Sequence, residues 1–248
     1  MRVADRRHSH VLAKKWLKTA EPLILPDPTG PALKIHTTDA CLAPMGTQSA
    51  EAVRAEYVVA MGEELGTAYH TLWSDVALLF RDWGEFIELF TKPKRTKLLN
   101  EVAPVFFRAV QVTFFEATVL RIARLTDPPQ SVGRPNLTIQ RLPKLVTDPD
   151  LSSKLLILVE KAKRAAGFCR DRRNRMLAHR DLDLAIGNSA KPVEDATIEK
   201  VRAAINALAD ILNALSQHYL KTTALFHFTD APGGAVSLIQ ALQRRPKE

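Results

Sequence analysis

The sequence predicts an all-α protein, a bundle of four principal helices with short accessory helices. Apolar residues recur every three or four positions along most of the chain, one segment is apolar nearly all round, and no segment alternates between apolar and polar residues as a strand does. The chain has 248 residues, 46% of them hydrophobic and 25% charged, so it is long enough to bury a core.

The first two principal helices are predicted in the first half of this pattern. The first covers residues 50–87, and its glycines, Gly62, Gly66 and Gly84, are expected to weaken it without ending it. The second covers Pro104 to Leu125 and has almost no polar face. A helix of that kind is expected to lie in the middle of a bundle.

The third principal helix is predicted to begin at Asp148 and Pro149, a favourable pair for the N-cap and the first helical position. It is expected to run without a break into a basic stretch at residues 170–181. Before it, Asn136 is expected to cap a short helical segment, Leu137–Leu142.

The fourth principal helix, Ile198–Tyr219, has the most regular apolar spacing in the chain, and Asp195 is expected to cap it. Its apolar face is predicted to lie in the core rather than in a dimer seam, packed lengthwise on a neighbouring helix. A short amphipathic helix is predicted over Ala235–Gln243.

Residues 1–46 are predicted to form a poorly structured N-terminal extension, and residues 47–248 the helical domain. Prolines and a glycine between Pro22 and Pro31 exclude regular structure there. An alternative is that this extension is translated sequence upstream of Met45. His8 and His10 lack acidic or cysteine neighbours, so no metal site is predicted.

Charge and cysteine content restrict the class of partner and the compartment. A net charge of +8 favours a polyanionic partner such as nucleic acid. Cys41 and Cys169 stand in unrelated contexts, so neither a zinc site nor a disulfide framework is predicted. Because no apolar run is long enough to cross a bilayer and no secretory signal is visible, we expect no membrane association and a cytoplasmic location.

The third helix carries an apolar stripe that becomes basic near its end. The stripe comprises Leu155, Leu158, Ala162, Ala165 and Cys169, and the next positions on the same face are Arg172, Met176 and His179. Burying an unpaired arginine costs free energy. The break therefore marks either a functional site or a solvated helix end whose cations suit the helix dipole.

The residue types in the basic stretch suit cleavage of a phosphodiester without a metal. A histidine can transfer a proton near neutral pH, and an arginine can hold a phosphate through two parallel hydrogen bonds. RNA supplies its own nucleophile, the 2′-hydroxyl. Residues 161–181 contain eight lysines and arginines and two acids, a balance that favours the RNA backbone as a partner.

Arg173, the polar Asn174 and then His179 resemble the motif of the HEPN superfamily. Other segments resemble the AbiU-type abortive-infection branch of that superfamily: Leu98–Asn100, Ala103–Phe107, Arg124–Pro128 and Leu177–Asp181. Together the similar segments cover roughly residues 51–219.

This resemblance implies a HEPN-like helical bundle that forms a homodimer, with the two Arg/His motifs facing each other across a cleft. It implies a metal-independent endoribonuclease without a cofactor that acts as a toxin in phage defence, with an antitoxin as a further expected partner. In this interpretation Arg173 and His179 are catalytic and cleave RNA by 2′-hydroxyl attack, and Asn174 helps to hold the RNA.

Helix geometry adds further candidates. On a straight α-helix His179 shares a face with Arg172 and Arg175, whereas Arg173 lies about 120° away. Either the helix is irregular there, or Arg173 works with the partner's His179 across a dimer. Arg172 and Arg175 are therefore additional candidates for binding RNA, and Arg180, in the same basic stretch, is a further one.

Arg124, Asp127 and Asp181 are possible supporting residues. Arg124 and Asp127 close the second principal helix, where an arginine beside an aspartate is most often a structural pair. Two alternatives to a nuclease stay open: a non-catalytic module that binds RNA or a nucleotide, and a helical scaffold whose basic helix end is solvated. The first predicts salt-sensitive RNA binding without turnover.

Overall fold

The computed structural model describes residues 49–178, 181–186, 192–223, 226 and 233–244. Within them the chain is almost entirely helical, which confirms the predicted all-α class. The helices are α1 (Ala50–Met61), α2 (Glu63–Phe90), α3 (Pro93–Val102), α4 (Pro104–Leu125), α5 (Leu142–Leu145), α6 (Pro149–Ala165), α7 (Gly167–Arg172), α8 (Leu182–Ile186), α9 (Ile198–Tyr219) and α10 (Ala235–Gln243).

Four shorter elements complete the described part. Two-residue strands, β1 (Gln130–Ser131) and β2 (Arg134–Pro135), form an antiparallel hairpin. A 3₁₀ turn covers Ile139–Arg141, and a π-helix covers Arg173–Leu177. The four long helices are α2, α4, α6 and α9: α9 packs along α6 and against α2, and α2 packs against α4.

The first principal helix is broken, contrary to the sequence prediction. It ends at Met61 and restarts at Glu63 because Gly62 adopts a φ of +84°, which only glycine adopts readily. The break lets α1 fold back onto α2. At their crossing a Cβ on Gly66 would lie 2.6 Å from the carbonyl oxygen of Tyr57, so a glycine is required there.

Helix α4 has the predicted bounds, but the prediction that it lies wholly inside the bundle is wrong for its first half. Its second half is buried, including Val119, Ile122 and Leu125. In the first half, Val105 is 85% exposed and Phe106 is 61% exposed. The described helices cover only one side of this segment, so an apolar surface remains open to solvent.

The third principal helix also differs from the prediction. Asp148 caps it as expected, accepting hydrogen bonds from the backbone N–H groups of Asp150 and Leu151. The helix does not run unbroken into the basic stretch, since α6 ends at Ala165 and α7 begins at Gly167. Arg170 donates a 2.6 Å hydrogen bond to the Lys163 carbonyl, which ties the two segments together across the break.

Helix α9 has the predicted bounds and buries its apolar face, with Val201, Ile205, Leu208, Leu212 and Leu215 in the core. The predicted capping residues are wrong at two helices. Thr197, not Asp195, caps α9. Asn136 does not cap a helix, because its side chain donates to the Pro128 carbonyl and to Ser131 Oγ at the hairpin.

The N-terminal extension predicted for residues 1–46, including His8, His10 and Cys41, lies outside the described residues. The domain division therefore stays a prediction. Among the described residues, no helix is long and apolar enough to cross a membrane.

Candidate functional site

The basic stretch contains an irregular helical turn. The Ala178 N–H bonds to the Arg173 carbonyl at 2.8 Å, and this i→i+5 bond defines the π-helix Arg173–Leu177. A π-helical turn is wider than an α-helical turn and is frequent at functional sites. The basic stretch is therefore not a straight α-helix over residues 173–178. His179 and Arg180 lie outside the described residues.

Arg173 is held by two side chains. Its Nη1 donates to Asp127 Oδ2, and its Nε donates to Asn174 Oδ1 at 3.0 Å. The side chains of Arg173 and Asp127 are 25% and 18% exposed, so this ion pair is partly shielded from water. Nη2 of Arg173 donates no hydrogen bond within the part of the chain that the structure describes. The guanidinium is thus fixed in place with one edge still available.

Asp127 is itself positioned by the turn that follows α4. Gln140 Nε2 donates to the carbonyls of Thr126 and Asp127, both at 2.9 Å. Thr126 Oγ1 accepts a 3.0 Å hydrogen bond from Arg170 Nη1 and donates to the Ile122 carbonyl. Asp127 Oδ1 is buried and has no hydrogen-bond partner among the described residues. The turn therefore presents a fixed carboxylate with one unused acceptor.

Arg172 and Arg175, predicted to bind RNA, have different surroundings from Arg173. The guanidinium carbon of Arg172 lies 5.6 Å from the centroid of the Phe115 ring, a cation–π contact onto α4. Arg175 lies between two carboxylates: its Nε donates to Asp181 Oδ2 at 3.3 Å, and its Nη1 is 3.6 Å from Asp171 Oδ2. The charge of Arg175 is therefore partly neutralised by carboxylates, whereas Arg172 rests on an aromatic ring.

Two supporting residues are placed differently from the sequence interpretation. Arg124 does not pair with Asp127; its Nη2 lies 3.2 Å from Asp75 Oδ1 on α2. Asp127 pairs instead with Arg173, 46 positions away. Arg124 therefore links α2 to α4, beside a similar pair between Arg121 and Asp82 at 2.6 Å. Asp181 accepts a hydrogen bond from Arg175 within the basic stretch, and its supporting role stays a prediction.

Sequence reasoning missed three residues that build this site: Thr126, Gln140 and Arg170. Thr126 and Gln140 act through the backbone of one turn, and Arg170 reaches Thr126 from a segment 44 positions away. The Thr-Asp-Pro segment directly after an apolar helix is the one sequence signal for such a turn. Local spacing carries no information about the residues that reach it from other segments.

Cys169 lies next to this network and is fully buried. Burial raises the pKa of its thiol to about 12, despite the opposing charges of Arg170 and Arg172. The thiolate is the reactive form of a cysteine, so this residue acts as an inert core side chain. Among the described residues, no group of three or more His, Cys, Asp or Glu side chains could hold a metal ion.

Comparison with known proteins identifies one family. The family model described as AbiU2, a HEPN-type family, matches residues 56–235, which is more than half of the chain. No curated protein and no solved structure gives a significant match. The matched region contains every described residue of the Arg173–Asp127 site.

Proposed function

The chain belongs to the AbiU2 family of HEPN proteins, and on that premise we propose that it is a metal-independent endoribonuclease. The observation that carries this proposal is the state of Arg173. Its guanidinium is fixed by Asp127 and Asn174 at an irregular helical turn, and its Nη2 keeps a free edge among the described residues. A preorganised cation of this kind stabilises negative charge that develops on a phosphate.

The proposed reaction uses the nucleophile that RNA carries. His179 accepts the proton of a 2′-hydroxyl, and the 2′-oxygen attacks the adjacent phosphorus. Arg173 stabilises the added charge on the phosphoryl oxygens, and the 5′-oxygen takes a proton from water as its bond to phosphorus breaks. The products are a 2′,3′-cyclic phosphate and a 5′-hydroxyl. Asn174 and Arg180 contribute to holding the RNA backbone.

We also propose that the active form is a homodimer, supported by the exposed face of α4. Large apolar side chains such as Val105 and Phe106 are exposed on a long, well-formed helix, and Leu120 lies on the same helix nearer the site. Exposed apolar patches of this kind mark interaction surfaces. Helix α4 ends two residues before Asp127, so an interface along α4 would involve the helix that leads directly into the Arg173 site.

The biological role follows as part of the same proposal. A HEPN-type ribonuclease of the abortive-infection class acts in the cytoplasm as a toxin that an antitoxin holds in check until phage infection. Expression in a bacterial host gives a first test of this role. Growth arrest by the wild type, absent with His179→Ala, is the expected result.

RNA cleavage in excess EDTA tests the catalytic proposal directly. Wild type, His179→Ala and Arg173→Ala are compared with His218→Ala as the matched control, since His218 lies on α9 and its Nε2 is 3.8 Å from Asp148 Oδ2. We expect cleavage by the wild type and the control, and loss of at least about a hundredfold in the other two variants. Cleavage that stops in EDTA, or that survives His179→Ala, rejects the mechanism.

The ion pairs in the basic stretch favour a second candidate function. Arg173 faces Asp127, and Arg175 faces Asp171 and Asp181, an arrangement that also suits a non-catalytic module that binds RNA or a nucleotide. This candidate predicts salt-sensitive binding with no turnover under any condition. A helical scaffold, in contrast, predicts neither binding nor turnover.

A further inference from the structure

A cleft opens beside Gln140, the side chain that holds the Thr126–Asp127 turn. We name it the hairpin cleft; its volume is about 370 Å³, and its walls include Pro129, Pro135, Gln140, Arg141, Lys144 and Leu145. That volume lies within the range of ~300–1,000 Å³ typical of small-molecule sites. We propose that the hairpin cleft binds one nucleotide of the RNA substrate, next to the phosphate that is cut. This inference rests on the proposed function.

The walls of the hairpin cleft combine the surfaces that a nucleotide requires. Pro129, Pro135 and Leu145 supply an apolar floor for the flat face of a base. Arg141 and Lys144 supply two cations for the phosphate that joins this nucleotide to the next. A mostly apolar cavity with a few polar groups is the usual composition of a ligand site.

The cleft is fixed to the Arg173 site through a single side chain. Gln140 lines the cleft, and its Nε2 donates to the carbonyls of Thr126 and Asp127. Asp127 in turn holds Arg173. Gln140 and Asp127 therefore connect the cleft wall to the guanidinium that we propose holds the scissile phosphate.

The hairpin that forms one wall is preorganised. Asn136 donates to the Pro128 carbonyl at 3.0 Å and to Ser131 Oγ at 2.8 Å, and its backbone N–H bonds to the Pro129 carbonyl at 2.8 Å. These bonds hold Pro129 and Pro135 in place before a ligand arrives. Preorganisation of this kind lowers the entropy lost on binding.

Charge distinguishes the hairpin cleft from its neighbour. A second cleft of about 410 Å³ shares Arg141 and Leu145 as a dividing ridge, but Glu63 and Glu64 line its other side. An RNA phosphate is repelled by those carboxylates and attracted to Lys144. Arg141 lies 3.8 Å from Glu64, and both side chains are solvent-accessible, so this weak pair gives way to a phosphate.

Binding of a non-cleavable RNA tests the subsite. The full 248-residue chain is titrated into a labelled 2′-O-methyl oligonucleotide, using wild type, Lys144→Gln and the matched control Lys154→Gln, an exposed residue of α6 away from the cleft. We expect Lys144→Gln to weaken binding about fivefold and to lower the salt slope by about one. The control stays within twofold of wild type.

A second variant is expected to change RNA affinity in the opposite direction. Glu64→Gln frees Arg141, so we expect it to tighten RNA binding by about twofold to threefold. Equal losses of RNA affinity in Lys144→Gln and Lys154→Gln would overturn the proposed subsite, because both losses would then reflect only the lower net charge of the protein. Binding of a free mononucleotide, AMP, is measured with the same variants. Lys144-dependent binding of AMP together with Lys144-independent binding of the oligonucleotide would also overturn it.

Failure of the subsite proposal can be distinguished from failure of the nuclease proposal. The binding assay needs no turnover, so a chain that never cleaves RNA still gives a result for the hairpin cleft. In the cleavage assay, Lys144→Gln is expected to raise KM about fivefold with kcat within twofold of wild type. If Lys144→Gln cleaves RNA with the KM and kcat of the wild type, the subsite proposal is refuted and the nuclease proposal is not.

Discussion

Asp127 and Arg173 form the ion pair on which the site depends, although neither residue is near the other in sequence. The carboxylate fixes the guanidinium from one side while Asn174 fixes it from another. A group held this way loses little freedom when a phosphate arrives, which is why its position matters more than its charge alone.

Asp127→Asn tests this positioning role. We expect RNA cleavage to fall about a hundredfold, because a loosened guanidinium misses the phosphoryl oxygens in the transition state. Affinity for the 2′-O-methyl oligonucleotide should not fall, since no cation is lost and a carboxylate that repels the phosphate is removed. Rate and affinity are measured on the same sample.

Asp82→Asn is the matched control for Asp127→Asn. It removes a carboxylate from a comparably shielded arginine pair, Asp82–Arg121, which lies between α2 and α4 and whose side chains are 25% and 26% exposed. Its cleavage rate should remain within about threefold of wild type. Equal losses of activity in both variants would mean that Asp127 acts only through the stability of the fold.

At the residue scale, the sequence predicted which residues form the basic stretch but not the side chains that they contact. Arg173, Asn174 and the neighbouring cations could be selected from residue type and resemblance. The pairing of Asp127 with Arg173 could not, because the sequence placed Asp127 beside Arg124, and the fold sends Arg124 to Asp75. Gln140 and Arg170 gave no local signal at all.

At the element scale, helix α4 combines two roles along one length. Its second half is core, while its first half exposes Val105 and Phe106 to solvent. A hydrophobic segment without a polar face looks the same in sequence whether its own chain or a second copy covers it. This is why periodicity predicted the bounds of α4 but misplaced its first half.

Phe106→Glu tests whether a second copy covers α4. We expect the solution mass by light scattering to fall from a dimer to a monomer of 27.6 kDa, because a buried unpaired carboxylate is unfavourable at an interface. Ile157→Glu is the matched control: Ile157 is 71% exposed on α6, outside the proposed interface. A dimer that survives Phe106→Glu, or dissociates equally with Ile157→Glu, contradicts the assignment of this face.

The helix breaks were the least predictable feature at this scale. Gly62 was expected to be tolerated inside a helix, yet its positive φ ends α1. The chain then folds back so that α1 crosses α2 closely at Gly66, where there is no room for a Cβ atom. The break at Ala166 is stabilised by Arg170, a contact between segments. Both depend on tertiary packing, which local propensity does not contain.

At the scale of the whole molecule, a helical bundle of the AbiU2 family carries a fixed guanidinium and a cleft lined by Arg141 and Lys144, and Gln140 contacts both the cleft and the turn that holds the guanidinium. The all-α class and the four long helices followed from apolar periodicity alone. The function did not follow from the fold, since helical bundles serve many purposes. It depends on the chemistry of the Arg173 site.

The chemical ends of the RNA fragments test that chemistry most directly. A labelled transcript is incubated with the protein in excess EDTA, and the new termini are identified by mass spectrometry. Attack by the 2′-hydroxyl predicts a 2′,3′-cyclic phosphate on one fragment and a 5′-hydroxyl on the other. Fragments that end in a 3′-hydroxyl and a 5′-phosphate would show that water is the nucleophile and would contradict the proposed mechanism.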